Sequence, residues 1–511
     1  MIHSHPLHLL VAASEAAPYA KTGGLADVAG ALPQELAKLG HDVILLVPRY
    51  RCVTQSGRSF RPIAKISVPT PQGLVETSIE EDIVSVTGHP TGLRVWAIRH
   101  DPYFNRPGLY QERGLDYPDN LDRFVFFCRA IIEIMVYLRR EKQWKTDLLH
   151  VHDWQTALCP VYLKAGDQQR PELKGVKTVL TLHNVGYQGL FPAGEFSKTA
   201  LAPSLFSLAG LEFYGSVNVL KGGMLFADYL TTVSPTYARE ILTPELGFGL
   251  EGVLRNRQSH LQGVVNGIDI DLWNPETDPY LPATYTVRNR AGKRVCKRAL
   301  QREFKLPETQ APLLAMIGRM TPQKGFDLIE AVIPQLMTLN VQLVMLGTGD
   351  PAYEDMFKSF QARYPDRMGV HIGFDEGLAH RIEGGADMLV MPSRYEPCGL
   401  SQLYSLRYGT VPIVRKTGGL ADTVVPLDTR KPDAVPATGF HIEEHTAESL
   451  LSTLQHAMRV FHVPGLWNRL IEAGMSADVS WGRSAQAYDR LFASLVRDRA
   501  YGQDSSQEER A

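Results

Sequence analysis

The segment from Asp387 to Asp422 constrains the fold most strongly, because it alternates two short apolar runs with loops and one helical stretch. The runs Met388–Met391 and Val411–Val414 are typical of buried strands, and Ser401–Tyr408 between them has helical character. Strand, loop, helix, strand and loop make a βαβ crossover, which joins parallel strands. Because ligands bind beyond the carboxyl ends of strands in open parallel sheets, both loops are candidate ligand sites.

A heptapeptide repeat links this segment to the start of the chain. Lys-Thr-Gly-Gly-Leu-Ala-Asp occurs at Lys416–Asp422 and again at Lys21–Asp27, where a strand candidate precedes it and a helix candidate, Val28–Leu39, follows. The glycine pair lets backbone come close to a ligand. Two basic, glycine-rich loops in separate halves predict one ligand held between two similar domains. The alternative is a loop shape that is shared without a shared function.

Composition narrows the class of protein. At 511 residues the chain should form more than one domain, and 44% hydrophobic with 21% charged residues is typical of a soluble globular protein. The formal net charge of -2 supplies no global field for nucleic acid or an anionic membrane, so neither partner is expected. Five scattered cysteines without a CxxC pair favour a reducing cytoplasm, and no signal peptide or membrane span is evident.

The first half alternates strand and helix patterns as an α/β domain does. Strands are predicted at Leu7–Ala12, Asp42–Pro48, Leu148–His152, Thr178–Leu182 and Tyr229–Val233. The run Ile63–Ile98 is short, alternating and turn-rich, which predicts an antiparallel excursion, and Asp119–Leu138 predicts a long helix whose aromatic residues build core. Ser234 and Pro235 match the N-cap and first residue of a helix.

The second half restarts the pattern after Asn274–Thr286, whose Pro, Asp and Thr residues favour an interdomain linker. Three further strands are predicted at Leu313–Ile317, Val341–Leu346 and Val370–Phe374. Helices are predicted at Arg294–Phe304, Phe326–Met337, Ala447–Val460, Trp467–Met475 and Ser484–Val496. Pro334 is expected to kink or shorten the second of these helices.

Polar residues at two strand ends in the first half suit a sugar site. His150 and His152 share one face of a strand, so zinc is an alternative, but no third ligand is evident nearby. Asp153 and Trp154 then supply a polar group and a stacking platform. His183 and Asn184 precede a glycine turn, an arrangement that suits hydroxyl recognition; a histidine that merely caps the next element is the alternative.

Cations and a carboxylate follow strands of the second half. Arg319 and Lys324 lie in one loop whose glycines restrict its shape, and two fixed cations can hold a diphosphate and stabilise it as it leaves. Glu396 could accept hydrogen bonds from sugar hydroxyls or stabilise an oxocarbenium-like centre. The backbone N–H groups of Gly399 and Leu400 stand at a helix start, where phosphate binds readily.

Three patterns suggest other functions more weakly. Asp269-x-Asp271 has the form of a metal-binding DxD, but beside Asn-Gly it is interpreted as a turn and helix cap. Gly347-Thr-Gly349 lacks the third glycine of a dinucleotide fingerprint, so an NAD enzyme is disfavoured. His3, His5 and His8 could bind a metal weakly, although a histidine-bearing disordered end is preferred.

Taken together, the motifs resemble the glycogen and starch synthase family of retaining glycosyltransferases, over roughly Leu7 to Leu491. The resemblance is carried by Lys21–Asp27, His152-Asp-Trp154, His183-Asn184, Asn266-Gly-Ile-Asp269, Gly318-Arg319 with Lys324-Gly325, and Glu396-Pro-Cys398-Gly-Leu400. It implies an α/β GT-B fold, in which two Rossmann-like domains with parallel sheets face across a deep cleft. It also implies that no metal or other cofactor is needed.

The resemblance implies an order of domains along the chain. Residues 1–265 would form the acceptor-side domain, 266–286 a linker and 287–483 the nucleotide-sugar domain. Residues 484–501 would form a helix that crosses back to the first domain, and the polar residues 502–511 a disordered tail.

The resemblance also implies site roles. Arg319 and Lys324 would hold the diphosphate, Glu396 would bind the donor glucose near its anomeric carbon, and His183 would contact that glucose; these four are the catalytic candidates. The substrate-binding candidates are Lys21, Gly24, Asp27, Asp153, Trp154, Asn184, Asn266, Tyr395, Cys398, Gly399, Leu400, Thr417, Gly418 and Gly419.

The implied reaction transfers glucose from ADP-glucose to the non-reducing 4-hydroxyl of an α-1,4-glucan such as glycogen, with retention of configuration. Attack on the face that ADP leaves, with the leaving phosphate as base, is expected, and a short-lived covalent adduct is the alternative. A related transferase that uses another nucleotide sugar, and a non-catalytic protein that binds nucleotide sugars or glucans, are the other candidate functions.

Overall fold

The computed structural model describes residues 6–55, 57–90, 92–428 and 436–508, and it divides into two compact units. Unit 1 comprises Met1–Val233, Ala238–Val264 and Trp481–Ala511, and unit 2 comprises Ser234–Tyr237 and Val265–Ser480. His3 and His5 of the histidine-bearing segment lie outside the described residues, as do the last three residues of the chain.

Unit 1 is built on a nine-stranded sheet. In spatial order its strands are Leu261–Gly263, Tyr229–Thr232, Lys177–Leu182, Leu148–His152, His8–Ala12, Asp42–Pro48, Leu93–Arg99, Gly73–Val84 and Arg61–Thr70. The first seven strands are parallel, and the last two pair antiparallel. The predicted excursion is therefore confirmed, with one refinement: its last strand also pairs in parallel with Asp42–Pro48 and extends the main sheet.

Helices cover this sheet and its loops. In the first 264 residues the α-helices are Gly24–Lys38, Arg51–Gln55, Asp101–Phe104, Asn120–Glu141, Asp153–Thr156, Leu158–Val161, Val219–Phe226, Pro235–Glu240, Pro244–Gly247 and Glu251–Asn256. A π-helical turn spans Tyr162–Gly166, and 3-10 turns span Pro171–Leu173, Ala193–Thr199, Pro203–Leu205 and Gln258–His260. Small antiparallel sheets are formed by Leu190–Pro192, Ser216–Asn218 and Glu212–Phe213, and by Gln111–Glu112 and Leu115–Asp116.

Two long helices, one of them near the end of the chain, pack in unit 1. Asn120–Glu141 buries its aromatic residues, as predicted. Trp481–Glu508 also belongs to unit 1, where Asp489 Oδ1 lies 3.0 Å from His41 Nε2 between two buried side chains. This helix continues through residue 508 into the segment predicted to be a tail. None of the helices in the described ranges combines the length and apolar character that a membrane crossing requires.

Unit 2 is built on a six-stranded, fully parallel sheet. Its strands, in spatial order, are Met368–Ile372, Gln342–Gly347, Leu313–Ile317, Met388–Met391, Val411–Arg415 and Phe440–Ile442. Its helices are Ala291–Glu303, Phe326–Leu336, Pro351–Arg363, Glu376–Gly385, Ser401–Tyr408, Gly418–Thr423, Ala447–Phe461 and Pro464–Ser476, and Pro322–Lys324 is a 3-10 turn. Pro334 lies inside the helix Phe326–Leu336, about one turn from its end, and the helix ends two residues after it.

The segment predicted as an interdomain linker packs into unit 2. Trp273 stacks between the rings of His380 and Tyr404, at centroid distances of 3.8 and 3.7 Å. The buried carboxylate of Asp278 accepts hydrogen bonds from His380 Nδ1 at 2.7 Å and from the hydroxyl of Tyr408. The segment has no regular secondary structure, which agrees with its content of Pro, Asp and Thr. Aromatic stacking and a buried carboxylate nevertheless fix it to unit 2.

Candidate active site

In unit 2, the predicted cation Lys324 and the predicted carboxylate Glu396 form an ion pair. The strands that precede them, Leu313–Ile317 and Met388–Met391, are neighbours in the parallel sheet, so their loops leave the same edge. Lys324 Nζ donates to Glu396 Oε2 at 2.6 Å, and Ser393 Oγ donates to the same oxygen at 3.0 Å. Because the carboxylate is nearly buried and has two donors, its orientation is set before any ligand arrives.

Gly325 makes this ion pair possible. It has φ +73°, and a Cβ at this position would lie 2.2 Å from the carbonyl oxygen of Pro392. Only glycine therefore allows the loop that carries Lys324 to lie against the loop that carries Glu396.

The two arginines of these loops differ in their partners. Within the described residues the exposed guanidinium of Arg319 has no hydrogen bond or ion pair, so it can bind an incoming anion. Arg394, the basic residue nearest to Glu396 in sequence, pairs with Asp327 instead. The partner of Glu396 is therefore a residue 72 positions away, which sequence proximity could not indicate.

The loop after Glu396 is held by its own backbone and by one glutamine. Gln402 Nε2 donates to the carbonyl oxygens of Cys398 and Gly399, at 3.0 and 3.1 Å. Gly399 has φ +73°, and Leu400 is the N-cap of the helix Ser401–Tyr408. Burial raises the pKa of the Cys398 thiol to about 12, although the backbone N–H of Asn266 donates to its sulfur. Cys398 is thus a neutral packing residue at physiological pH rather than a nucleophile.

The second heptapeptide lies beneath this loop. A Cβ on Gly418 would lie 1.9 Å from the carbonyl oxygen of Glu396, and one on Gly419 would lie 2.3 Å from that of Cys398. Gly419 N–H also donates to the Glu396 carbonyl oxygen at 3.1 Å. The glycine pair therefore allows the backbone of the Glu396 loop, rather than a ligand, to lie close to this segment in the structure. Thr417 is buried at the N-cap of the short helix Gly418–Thr423, and Tyr395 is half-buried in the loop above.

The Gly347-Thr-Gly349 pattern also has a packing explanation. A Cβ on Gly347 would lie 2.0 Å from the carbonyl oxygen of Gly318, and one on Gly349 would lie 2.4 Å from that of Met320. These two glycines therefore make room for the loop that carries Arg319.

In unit 1, the first heptapeptide is organised around a buried carboxylate that the sequence analysis did not identify. Glu15 accepts hydrogen bonds from Thr22 N at 2.5 Å, Thr22 Oγ1 at 2.6 Å and Gly23 N at 3.2 Å. The hydroxyl of Tyr110 donates to it at 2.7 Å. Its position soon after the strand His8–Ala12 was the one sequence clue, since acidic residues are rarely buried without a role.

The lysine of this first copy lies at the surface. Lys21 Nζ donates to Asp27 Oδ1 at 2.6 Å, with the lysine side chain 40% exposed. Gly24 is exposed and begins the helix Gly24–Lys38. The helix thus starts four residues before the predicted Val28. The prediction missed the first turn because glycine residues are unfavourable in helices.

The histidines at the strand ends of unit 1 form a chain. His152 Nδ1 lies 3.0 Å from His183 Nε2, and the rings of His150 and His152 are 4.2 Å apart. Burial lowers the pKa of His183 and of His150 to about 3, and it also lowers the pKa of His152 well below its usual value, so these imidazoles are neutral. Among the described residues no group of three or more His, Cys, Asp or Glu side chains is arranged to hold a metal.

Asp153 and Trp154 hold the loop that carries His183 and Asn184. Asp153 Oδ1 accepts the backbone N–H of His183 at 2.7 Å, and burial raises the pKa of this carboxyl to about 7. Asp153 also has φ +54°, a strained conformation of the kind that is concentrated at functional sites. A Cβ on Gly189 would lie only 2.6 Å from the indole ring of Trp154. Glycine at this position therefore lets the loop pack onto the indole ring.

Two smaller predictions concern loops. Asn184 Oδ1 accepts the N–H of Gly186 at 3.0 Å, which shapes the glycine turn after His183. Asp269 Oδ1 accepts the N–H groups of Asp271 and Leu272, both at 3.0 Å, so the Asp-x-Asp sequence forms a turn.

Each unit therefore carries one set of predicted residues. Unit 2 contains the Arg319 guanidinium, which has no partner among the described residues, and a lysine–carboxylate pair, groups that can bind a diphosphate and a sugar. Unit 1 contains neutral imidazole, amide and indole groups, which suit an uncharged sugar hydroxyl and a sugar ring.

Comparison with known proteins finds two family models that match different parts of the chain. The starch synthase catalytic domain model matches residues 8–256, and the model for glycosyl transferases group 1 matches residues 297–464. A glycogen synthase of Anaeromyxobacter dehalogenans is 45% identical over 499 residues, 96% of this chain and all of that protein. One from Syntrophotalea carbinolica is 44% identical over 492 residues, 96% of this chain and 99% of that protein.

A solved structure extends the similarity to three dimensions. The catalytic domain of starch synthase IV from Arabidopsis thaliana, bound to ADP and acarbose, superposes with a TM-score of 0.87 at 34% identity, covering 96% of this chain and all of that one. This similarity confirms the predicted fold class, two α/β units built on parallel sheets as in GT-B glycosyltransferases. The chain belongs to the glycogen synthase family of glycosyltransferases.

Proposed function

We propose that this protein transfers glucose from ADP-glucose to the non-reducing 4-hydroxyl of an α-1,4-glucan such as glycogen, with retention of configuration. The observation that carries the proposal is the Lys324–Glu396 pair, with Arg319 in the loop of Lys324, at the carboxyl ends of neighbouring parallel strands. Its relatives' shared name and the ADP in the plant structure support the choice of donor and acceptor.

The proposed chemistry assigns a role to each charge. Arg319 and Lys324 bind the diphosphate and stabilise the negative charge that grows as the bond from glucose C1 to the diphosphate oxygen breaks. Glu396 holds sugar hydroxyls and stabilises positive charge at C1. Because Lys324 donates to Glu396, the proposed diphosphate-binding cation and the proposed sugar-binding carboxylate are adjacent.

The proposed reaction retains configuration through the leaving group. ADP departs with the bonding electron pair, and the acceptor O4 bonds to C1 from the same face. The proton of the acceptor hydroxyl passes to an oxygen of the departing phosphate. Trp154, His183 and Asn184 bind sugar, and Lys21 binds the donor or the acceptor.

We also propose a cytoplasmic location, which the five free cysteines suit.

The test is incorporation of labelled glucose into glycogen from ADP-glucose and, in parallel, from UDP-glucose. We expect ADP-glucose to be used at least tenfold better, and Lys324→Ala and Glu396→Ala each to lower kcat/KM at least ~100-fold. Arg394→Ala is the matched control, since it removes a neighbouring cation that pairs with Asp327, and it should stay within about threefold.

Two results would contradict the proposal. Equal or better incorporation from UDP-glucose would remove the donor assignment. Normal turnover in both the Lys324 and the Glu396 variants would remove the mechanism.

A further inference from the structure

The two imidazole rings of His152 and His183 are in hydrogen-bond contact, and one of the two facing nitrogens must carry the proton. His152 ends the strand Leu148–His152, His183 follows the adjacent parallel strand, and the two ring nitrogens are 3.0 Å apart. Both imidazoles are neutral, because burial lowers the pKa of each. A neutral imidazole has one N–H and one bare nitrogen, so one ring must donate to the other.

The surroundings of His152 decide the direction. Its Nδ1 contacts His183, whereas its Nε2 is buried and has no hydrogen-bond partner in the part of the chain that the structure describes. A buried N–H without an acceptor has lost its hydrogen bond to water without a replacement, and orphaned donors are rarer in proteins than under-satisfied acceptors. The proton of His152 therefore belongs on Nδ1, where it has an acceptor.

The neighbouring histidine does not change this assignment. His150 Nε2 is 2.6 Å from Thr181 Oγ1, which is 2.6 Å from Thr231 Oγ1. Its own Nδ1 has no partner among the described residues, and no hydrogen bond joins it to His152. His150 thus forms a separate network, although its ring lies against that of His152.

We propose that His152 is a positioning residue: its Nδ1–H donates to His183 Nε2 and fixes His183 as the tautomer with its proton on Nδ1. His183 then presents an N–H donor to an oxygen of the sugar substrate. This inference rests on the proposed sugar-binding role of His183. It adds that His183 recognises its ligand as a donor and that a buried neighbour determines this.

Adjacent residues hold His183 in complementary ways. Asp153 accepts the backbone N–H of His183 at 2.7 Å, while His152 holds the side chain. The ring can neither turn about its bond to Cβ nor exchange its two nitrogens without breaking the contact with His152. The donor is therefore pre-positioned, which reduces the ordering required when substrate binds.

The first test needs no substrate. The full-length protein is labelled with 15N-histidine, and the His183 signals are assigned by comparison with His183→Asn. We expect protonated Nδ1 and bare Nε2 for His183 in the wild-type protein, and loss of this preference in His152→Leu. A His183 proton on Nε2 in the wild-type protein would overturn the proposal, whether or not the protein is a transferase.

The second test is a double-mutant cycle with glucose transfer to glycogen as readout. His152→Leu should lower kcat/KM about tenfold in the wild-type protein and less than twofold in His183→Ala, because nothing remains to be positioned. His152→Asn, whose amide can donate near the position of Nδ1, should recover most of the loss. Equal losses in both backgrounds would make His152 merely structural and overturn the proposal.

His150→Asn is the matched control for a buried histidine on the same strand. It does not contact His183 through a hydrogen bond, so its effect should be the same factor in both backgrounds. If His152→Leu does not fold, the wild-type spectrum still decides, since a His183 proton on Nε2 would overturn the proposal without any variant at His152.

Discussion

The two copies of Lys-Thr-Gly-Gly-Leu-Ala-Asp have the same sequence and different surroundings. At Lys21–Asp27 the chain lies at the surface of unit 1, the lysine pairs with the aspartate of its own heptapeptide, and Glu15 holds the turn. At Lys416–Asp422 the glycines are buried beneath the Glu396 loop of unit 2, and the lysine pairs with Glu443.

Even the helix that follows starts differently. Its N-cap is the third residue of the heptapeptide, Gly23, in the first copy, and the second residue, Thr417, in the other. The first helix has 15 residues and the second has six. An identical peptide thus encodes a strand-to-helix turn in both places, while tertiary neighbours decide whether its glycines face solvent or backbone.

The largest difference should appear when the glycines are replaced. Gly419→Ala would force a Cβ to within 2.3 Å of the Cys398 carbonyl oxygen, whereas a Cβ on Gly23 meets nothing within 4 Å. We expect Gly419→Ala to lower the free energy of unfolding by about 3 kcal/mol or more, and Gly23→Ala by about 1 kcal/mol or less. Thermal unfolding of the two purified variants measures this, and similar melting temperatures would show that the two turns are equivalent.

The lysines should separate the two copies by activity. Lys21→Ala removes a predicted substrate-binding cation and should lower kcat/KM about 100-fold. Lys416→Ala removes an exposed pair with Glu443 and should change activity less than threefold and stability by less than ~1 kcal/mol. The comparison uses the glycogen incorporation assay at saturating and at limiting ADP-glucose. A large loss in the Lys416 variant would mean that the second loop also binds the substrate.

The aspartates should show the smallest difference, in stability. Asp422 accepts hydrogen bonds from Ser234 Oγ at 2.6 Å, Thr236 Oγ1 at 2.6 Å and Thr236 N at 2.9 Å, and so caps the helix Pro235–Glu240. Asp422→Ala should cost about 1–2 kcal/mol, the range for a lost helix cap. Asp27→Ala leaves an exposed lysine and should cost less than ~1 kcal/mol. Urea unfolding of the two variants measures both losses in the free energy of unfolding. A larger loss for Asp27→Ala than for Asp422→Ala would contradict the prediction.

Sequence patterns predicted the strands well where apolar runs are short and bounded. Asp42–Pro48, Leu148–His152, Leu313–Ile317 and Met388–Met391 have the predicted ends. The helices Pro351–Arg363 and Glu376–Gly385 were not predicted. The first buries little more than Phe357, so its apolar period is faint. Their caps, Asp350 and Asp375, were the clues in the sequence.

The candidate site was predicted in its residues more than in its contacts. Motifs pointed to Lys324, Glu396 and His183, but their partners Ser393 and His152 were not assigned to them. Glu15 was not identified at all, because its four donors come from the heptapeptide and from Tyr110, 95 residues away. Contacts of this kind depend on which loops a sheet brings together.

The sequence by itself determined the alternation of strands and helices, the positions of the glycine turns and the candidate residues for a sugar diphosphate site. These follow from local backbone preference and side-chain chemistry, which a linear pattern records. Only the tertiary structure decided that Lys324 faces Glu396, that His152 faces His183 and that one of two identical glycine pairs is buried. Those outcomes depend on the order of strands in each sheet, since that order sets which distant loops meet.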